Sequence, residues 1–278
     1  MNAMTRASAI ETEHSEVSSS GIGISIRGAS KRYDTASGES VDALQAVNLE
    51  IAAGEFVSVV GPSGCGKSTL MMLIANLVPA TEGEIRIDGR AASAYAGQSA
   101  IVFQRDLLLE WRKVIDNVLL PIEIKKLDRA HYREKAMELL ESVGLAAFAE
   151  RYPSELSGGM RQRVAICRAL IQRPGLLLMD EPFGALDALT REQMNLDLQR
   201  MWMRDRNTVI FITHSIEEAV LLSDRVVVMS ERPGRISEIH EISLTRPRGA
   251  QSRSDPRFVA AVEGIRRNFM ALGILSET

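Results

Sequence analysis

From Ile22 to about Glu50 apolar and polar residues alternate in short runs, as in Ile24-Ser25-Ile26-Arg27 and Val47-Asn48-Leu49-Glu50-Ile51. A period of two belongs to strands with one buried face, so this region predicts antiparallel strands. The alternation stops at Phe56-Val57-Ser58-Val59-Val60, a short apolar strand leading into a glycine-rich loop and a helix to about Ala75. Gly83–Gly89 reads as an edge hairpin and Ser99–Phe103 as a buried strand. From about Val114 to Ile171 the spacing turns helical, most clearly over Lys135–Ser142 and again over Arg161–Ile171. Leu176–Met179 and Val209–Thr213 are continuous apolar runs, as expected of parallel strands covered on both faces, and Arg225–Met229 adds another strand. Beyond Gly234 come short strands, a basic linker (Thr245–Gly249) and a last helix near Pro256–Leu272.

Composition narrows the class. A chain of 278 residues can bury one large domain or a core with a subdomain, and 45% hydrophobic with 25% charged residues is ordinary for a globular protein. A net charge of −3 gives no case for nucleic acid as a partner. Cys65 and Cys167 lack metal-ligand spacing and form no disulfide framework, which suits a reducing compartment. Residues 1–21, polar and rich in Ser, Thr and Glu, read as a disordered tail without the apolar core of a secretory signal. No apolar run approaches the roughly 18 residues a membrane span requires.

The candidate chemistry starts at Gly61-Pro62-Ser63-Gly64-Cys65-Gly66-Lys67-Ser68-Thr69, which matches G-x-x-x-x-G-K-[ST] between an apolar strand and a helix. Glycines let successive N–H groups turn toward phosphate oxygens, and the helix start adds partial positive charge. Lys67 can reach the β- and γ-phosphates and the Ser68 hydroxyl can ligate Mg²⁺, so a nucleoside triphosphate site is predicted. Cys65 reads as a small loop residue in preference to a redox switch. A second element, Leu176-Leu177-Leu178-Met179-Asp180-Glu181, ends an apolar strand in two acids, 113 residues after Lys67. One carboxylate there can serve Mg²⁺ and its neighbour can polarise an attacking water. Between them lies Leu156-Ser157-Gly158-Gly159-Met160-Arg161-Gln162-Arg163, a hydroxyl and two glycines at a helix start. Residue types alone leave it open between an anion site and an ordinary N-cap.

Taken in order, the GPSGCGKST loop, Gln104 in IVFQ, LSGGMRQR, LLLMDEPFGALD and His214 in FITHS resemble the ATP-binding cassette family, the ATPase subunits of ABC transporters, over about residues 22–245. The resemblance implies an α/β fold: a P-loop NTPase core with a mainly parallel sheet, an antiparallel β subdomain and an inserted α-helical subdomain at about 112–172; the basic linker and C-terminal helix of 246–278 lie beyond it. It implies ATP and Mg²⁺, Glu181 as general base, Asp180 and Gln104 on the metal side, His214 at the γ-phosphate and Tyr33 as the aromatic stacking on adenine. Ser157, Gly158 and Gly159 are expected to bind the ATP held by a second copy of the chain in a head-to-tail homodimer, with Asp187 at that interface. The expected partners are integral membrane permease subunits and, indirectly, a solute-binding protein, at the cytoplasmic face of a bacterial inner membrane.

The DLLLEW and VVVMSERPGRI blocks look like importers of the nitrate, sulfonate and taurine group, although Glu110 stands where many of those sequences carry proline. Asp106–Trp111 is either a groove for a membrane-subunit helix or is buried against the chain's own helices. Arg246, Arg248, Arg253 and Arg257 read as a solvated linker, with lipid headgroups as the other possibility. The alternatives to an importer ATPase are a soluble ABC protein of DNA repair or translation and a P-loop small-molecule kinase. Both are disfavoured: the chain lacks a coiled-coil insertion or second cassette, and it carries LSGGMRQR.

Overall fold

The alternating segment forms two long strands, β1 (Ile24–Asp34) and β2 (Ser40–Ile51), paired antiparallel. Ile24, Ile26, Leu44, Val47 and Leu49 point into the protein, while Arg27, Asn48 and Glu50 face solvent. The computed structural model describes residues 21–34, 38–95 and 99–275, so the expected tail, apart from Gly21, lies outside the described residues. Next in the chain come β3 (Phe56–Val60), α1 (Lys67–Ile74), β4 (Glu82–Ile87), β5 (Arg90–Ala91) and β6 (Ser99–Val102). Three helices follow, α2 (Val114–Ile124), α3 (Arg129–Ser142) and α4 (Gly158–Leu170). The remainder is β7 (Leu176–Asp180), α5 (Ala188–Asp205), β8 (Thr208–Ile212), α6 (Ile216–Leu222), β9 (Arg225–Met229), β10 (Ile236–Glu241) and α7 (Pro256–Ala271).

β4 and β5 form the expected hairpin at the edge of a four-stranded antiparallel sheet ordered β2-β1-β4-β5. The second sheet has six strands, β10-β9-β3-β8-β7-β6, parallel except for β10 at one end. Its continuous apolar runs follow from two-sided burial. Leu177, Met179, Val209 and Phe211 pack with α2, α4 and α5 in one core, whereas Leu176, Leu178, Ile210 and Ile212 pack with α1 and the antiparallel sheet in another. A third cluster seats Val60, Val226 and Val228 against α6 and α7. In α3, Ala136, Leu139 and Leu140 share one buried helical face.

Two expectations need correction. Ser99–Phe103 is not a buried strand throughout: β6 is an edge strand, its residues before Val102 are half-buried and Phe103 is 38% exposed. Nor is the basic segment simply solvated. Arg248 is 2% exposed, and its guanidinium donates to the carbonyls of Val220 (2.9 Å), Ser223 (2.7 Å) and Leu244 (2.8 Å), among others. Arg246 is also covered, donating to Leu222 O at 2.6 Å and Asp224 Oδ1 at 2.7 Å beside the Trp202 ring. The last carbonyls of a helix have no partner within it, and these two arginines supply partners for α6.

Candidate functional site

At the C-terminal end of β3 the chain turns through residues 61–66 into α1. Gly64 (φ 75°) and Gly66 (φ 104°) adopt left-handed backbone that glycine enters without strain. A Cβ on Gly66 would also lie 2.7 Å from the Ala43 carbonyl. Gly66 is the N-cap of α1 and supplies no side chain to its first N–H groups, which leaves them for an anion. Lys67 is 5% exposed and its ammonium donates to the carbonyls of Gly61 (2.9 Å) and Pro62 (2.8 Å) across the loop. Cys65 is buried, and burial pushes its thiol above the usual range. The loop is backed by residues 230–235: Gly234 N–H donates to Ala43 O at 3.0 Å, and a Cβ at Gly234 would stand 1.9 Å from the Cys65 carbonyl.

Because β6, β7 and β8 are parallel neighbours, they end along one edge of the sheet and bring Gln104, Glu181 and His214 together. Gln104 Nε2 donates to Glu181 Oε2 at 3.4 Å, and His214 Nε2 lies 2.5 Å from Glu181 Oε1. Glu181 sits at φ 47°, a strained position for a non-glycine residue, while its N–H donates to Ile212 O at 2.9 Å. A cleft of about 320 Å³ is lined by Tyr33, Ser63, Lys67, Ser68, Glu181 and His214, with Arg232 on its rim. The Ser68 hydroxyl, Asp180 carboxylate and Gln104 amide are hard oxygen donors. No cluster of three or more His, Cys, Asp or Glu groups suited to a metal exists among the described residues. This set fits Mg²⁺ that arrives with phosphate oxygens and keeps its waters, rather than a metal caged by protein alone.

Ser157, Gly158, Gly159 and Asp187 do not line that cleft. Ser157 caps α4, accepting from Met160 N–H at 3.3 Å, and it is exposed together with Gly158. Gly159 abuts α5, where an added Cβ would meet Thr190 Cγ2 at 2.6 Å. Asp187 caps α5, accepting from Thr190 N–H (3.0 Å) and Thr190 Oγ1–H (2.7 Å), and these bonds hold its carboxyl below the usual range.

The leucine-rich segment divides. Leu108 is 7% exposed and belongs to the chain's own core, so it cannot serve as a docking residue. Leu107 is 51% and Trp111 75% exposed, and Trp111 borders an open recess of about 490 Å³ with Lys113, Asp116, Arg129 and Tyr152. α4 holds this segment: Arg161 Nε donates to Asp106 Oδ2 at 3.0 Å and Arg168 donates to the carbonyls of Asp106 (2.7 Å) and Leu107 (2.8 Å). Residues the motifs did not name also belong here. Arg232 and Gly234 stood inside the VVVMSERPGRI block without a role of their own, and Glu218 was signalled only by the Ser215-x-x-Glu218 spacing of a capping box.

Comparison with known proteins agrees with this geometry. Residues 44–184 match the family model described as ABC transporter. The chain is 47% identical over 235 residues to a taurine import ATP-binding protein, TauB, of Rhizobium johnstonii, covering 82% of this chain and 89% of the relative. It is 43% identical over 231 residues to an aliphatic sulfonates import ATP-binding protein, SsuB, of Bacillus cereus, covering 83% and 90%. Among solved structures it resembles the dimeric structure of a bacterial ABC transporter cassette, with TM-score 0.71 and 34% identity over 80% of this chain and 100% of the other. A post-hydrolysis state of that cassette bound to ADP and Pi gives TM-score 0.70 and 33% identity over 80% and 100% of the two chains. With its fold, its phosphate loop and its strand-end acids read alongside these relatives, the chain belongs to the ABC transporter family, as an ATP-binding cassette.

Proposed function

We propose that the chain is the nucleotide-binding subunit of an importer, converting ATP and water to ADP and phosphate to power uptake of a small anionic solute such as a sulfonate. The observation that carries this reading is Glu181 held between Gln104 and His214 on the rim of the cleft that Lys67 and Ser68 line. Tyr33, on that same cleft, offers a ring for adenine, and the loop N–H groups and Lys67 hold the phosphates. The Glu181 carboxylate accepts a proton from the attacking water, and His214 orients it while facing the γ-phosphate. Mg²⁺ would be held by the Ser68 hydroxyl with Asp180 and Gln104 and would supply charge neutralisation at the phosphates.

The pocket is shared between two copies. Ser157 and Gly158 stand exposed, with Gly159 half-buried behind them, at a helix start outside their own cleft, the form of an anion site offered to a partner. Two-fold symmetry then builds two identical pockets, with Asp187 between them. Permease subunits in the membrane dock at Leu107 and Trp111, a separate solute-binding protein delivers cargo, and the chain sits peripherally on the cytoplasmic face. Among the described residues no helix is long and apolar enough to cross a membrane, so the permease supplies the passage.

Mixing a Lys67→Ala chain with a Ser157→Arg chain tests the reading. Each parent is expected to be inactive, and the mixture to regain ATP hydrolysis because one of its two pockets combines an intact lysine with an intact serine. A mixture as inactive as its parents, with both chains folded, would overturn the shared pocket.

A further inference from the structure

His214 lies two residues past the end of β8, and the residues on both sides of it are tied to one buried carboxylate. Glu218 is 6% exposed. Its Oε2 accepts from Thr213 Oγ1 at 2.6 Å, Thr213 Oγ1 accepts in turn from Ser215 N–H at 3.0 Å, and Glu218 N–H donates to Ser215 Oγ at 3.2 Å. In an ordinary capping box the glutamate would reach back to the Ser215 N–H itself. Here the Thr213 hydroxyl stands between them, so Thr213 and Ser215 are both pinned and the direction of His214 between them is set.

The other oxygen of Glu218, Oε1, is buried without a hydrogen-bond partner. Its counter-charge is Arg191, whose Nε lies 3.6 Å away, an ion pair beyond hydrogen-bond length. A carboxylate this deeply buried requires such a cation, because desolvation without one costs several kcal/mol. Arg191 sits in the first turn of α5 and holds the preceding loop by its backbone: Nη2 donates to Leu186 O at 2.8 Å and Nε to Phe183 O at 3.3 Å. That loop ends in exposed Asp187. Arg191, Glu218, Thr213, His214 and Glu181 line a single recess of about 170 Å³. An unbroken path of hydrogen bonds and one ion pair thus runs from the Phe183–Asp187 loop to the two residues flanking His214.

We propose that Arg191 and Glu218 are positioning residues that make the His214–Glu181 contact depend on the conformation of the Phe183–Asp187 loop. Neither residue lines the phosphate cleft, so neither touches nucleotide; both act through His214. The role assigned to this tie rests on the hydrolytic reading given above. A loop shifted at the subunit interface drags the Arg191 guanidinium, loosens Glu218 from the Thr213–Ser215 pair, and swings His214 off Glu181. Hydrolysis in this arrangement senses whether a partner is seated.

The test uses the full chain and two readouts. The first is the ¹⁵N signal of the His214 imidazole, assigned by its loss in His214→Gln. Arg191→Met and Glu218→Gln are each expected to shift it while the signals of His131 and His240 stay in place. Glu218→Gln keeps an oxygen for Thr213, so it guards against a variant that fails to fold. The second is ATP hydrolysis under saturating nucleotide: each variant is expected to lower kcat about tenfold with KM within about twofold, and Arg191→Lys to recover most of the loss. In a His214→Ala background, followed by single turnover, Arg191→Met is expected to add nothing. An unmoved His214 signal, or an Arg191 effect that multiplies with His214→Ala, overturns the proposal. A wild-type chain that hydrolyses no ATP would sink the functional reading instead, and the imidazole signal would still decide whether the tie exists.

Discussion

At the scale of single residues, the proposed chemistry centres on Glu181. It occupies a strained left-handed backbone position and has one carboxylate oxygen near the Gln104 amide and the other near the His214 ring. Strain of this kind persists only where the surroundings over-determine it, and here three adjacent strand ends do so. Glu181→Gln preserves the shape but cannot take a proton. It is expected to lose at least about a hundredfold in turnover while still binding ATP, with the nucleotide trapped between two copies, as measured by hydrolysis rate and gel filtration with ATP. The cysteines carry the opposite prediction. Burial pushes the Cys167 thiol up to about 12 and raises Cys65 as well, so neither is a thiolate near neutral pH. In the folded chain both should resist iodoacetamide at about pH 8 and react once denatured, as read by mass spectrometry.

Motifs named most of the groups that meet in the cleft, because phosphate loops, strand-end acids and a post-strand histidine are local patterns with fixed local geometry. Arg191 and Glu218 were not legible in the same way. Their connection spans two helices, and nothing in Thr190-Arg191-Glu192 announces a buried partner 27 residues later.

At the scale of elements, what the pattern showed and what it hid have a common cause. β7 and β8 were visible because two-sided burial leaves uninterrupted apolar runs. α5, the longest helix among the described residues, left no clear stripe: its buried face mixes Met194, Leu198 and Trp202 with Asn195, Asp197 and Gln199. It also ends on Arg206 in the left-handed conformation, where glycine or asparagine would have flagged the stop. Gln199 is buried because the basic segment crosses it, accepting from Arg248 N–H at 2.5 Å and donating to Arg248 O at 2.8 Å. The arginine that composition alone assigns to solvent is therefore a fastener between α5, α6 and the segment after β10 that carries Ile242 and Leu244. Burial lowers its pKa to about 10, which still leaves it charged at neutral pH. Arg248→Met removes the donors and strands several carbonyls, so a loss of about 3 kcal/mol in urea denaturation is expected, against a few tenths for Arg257→Met on the exposed side of α7.

At the scale of the whole molecule, the order of the chain separates three tasks. The antiparallel sheet, α1 and the ends of β7 and β8 line the cleft proposed for nucleotide, the segment before α2 exposes Leu107 and Trp111 while the start of α4 exposes Ser157, and α7 closes the far side of the parallel sheet. Asp106 fastens the Leu107–Trp111 segment through Arg161 and Arg168 to α4, the helix that Ser157 caps. The double substitution Leu107→Ala and Trp111→Ala should leave hydrolysis by the isolated chain within about twofold, since both side chains are largely in solvent. In vesicles carrying the permease it should abolish uptake, and retained uptake would move the docking site elsewhere.

A last consequence belongs to Gly234. No phosphate ever needs to approach it, yet its backbone presses so closely on the Cys65 carbonyl that a single added methyl has no room. A screen of random variants for lost ATP binding should therefore return Gly234→Ala beside Lys67→Ala, although the two stand 167 positions apart in the chain. Mapped by phenotype alone, the nucleotide pocket would look wider than the set of atoms that touch its cargo.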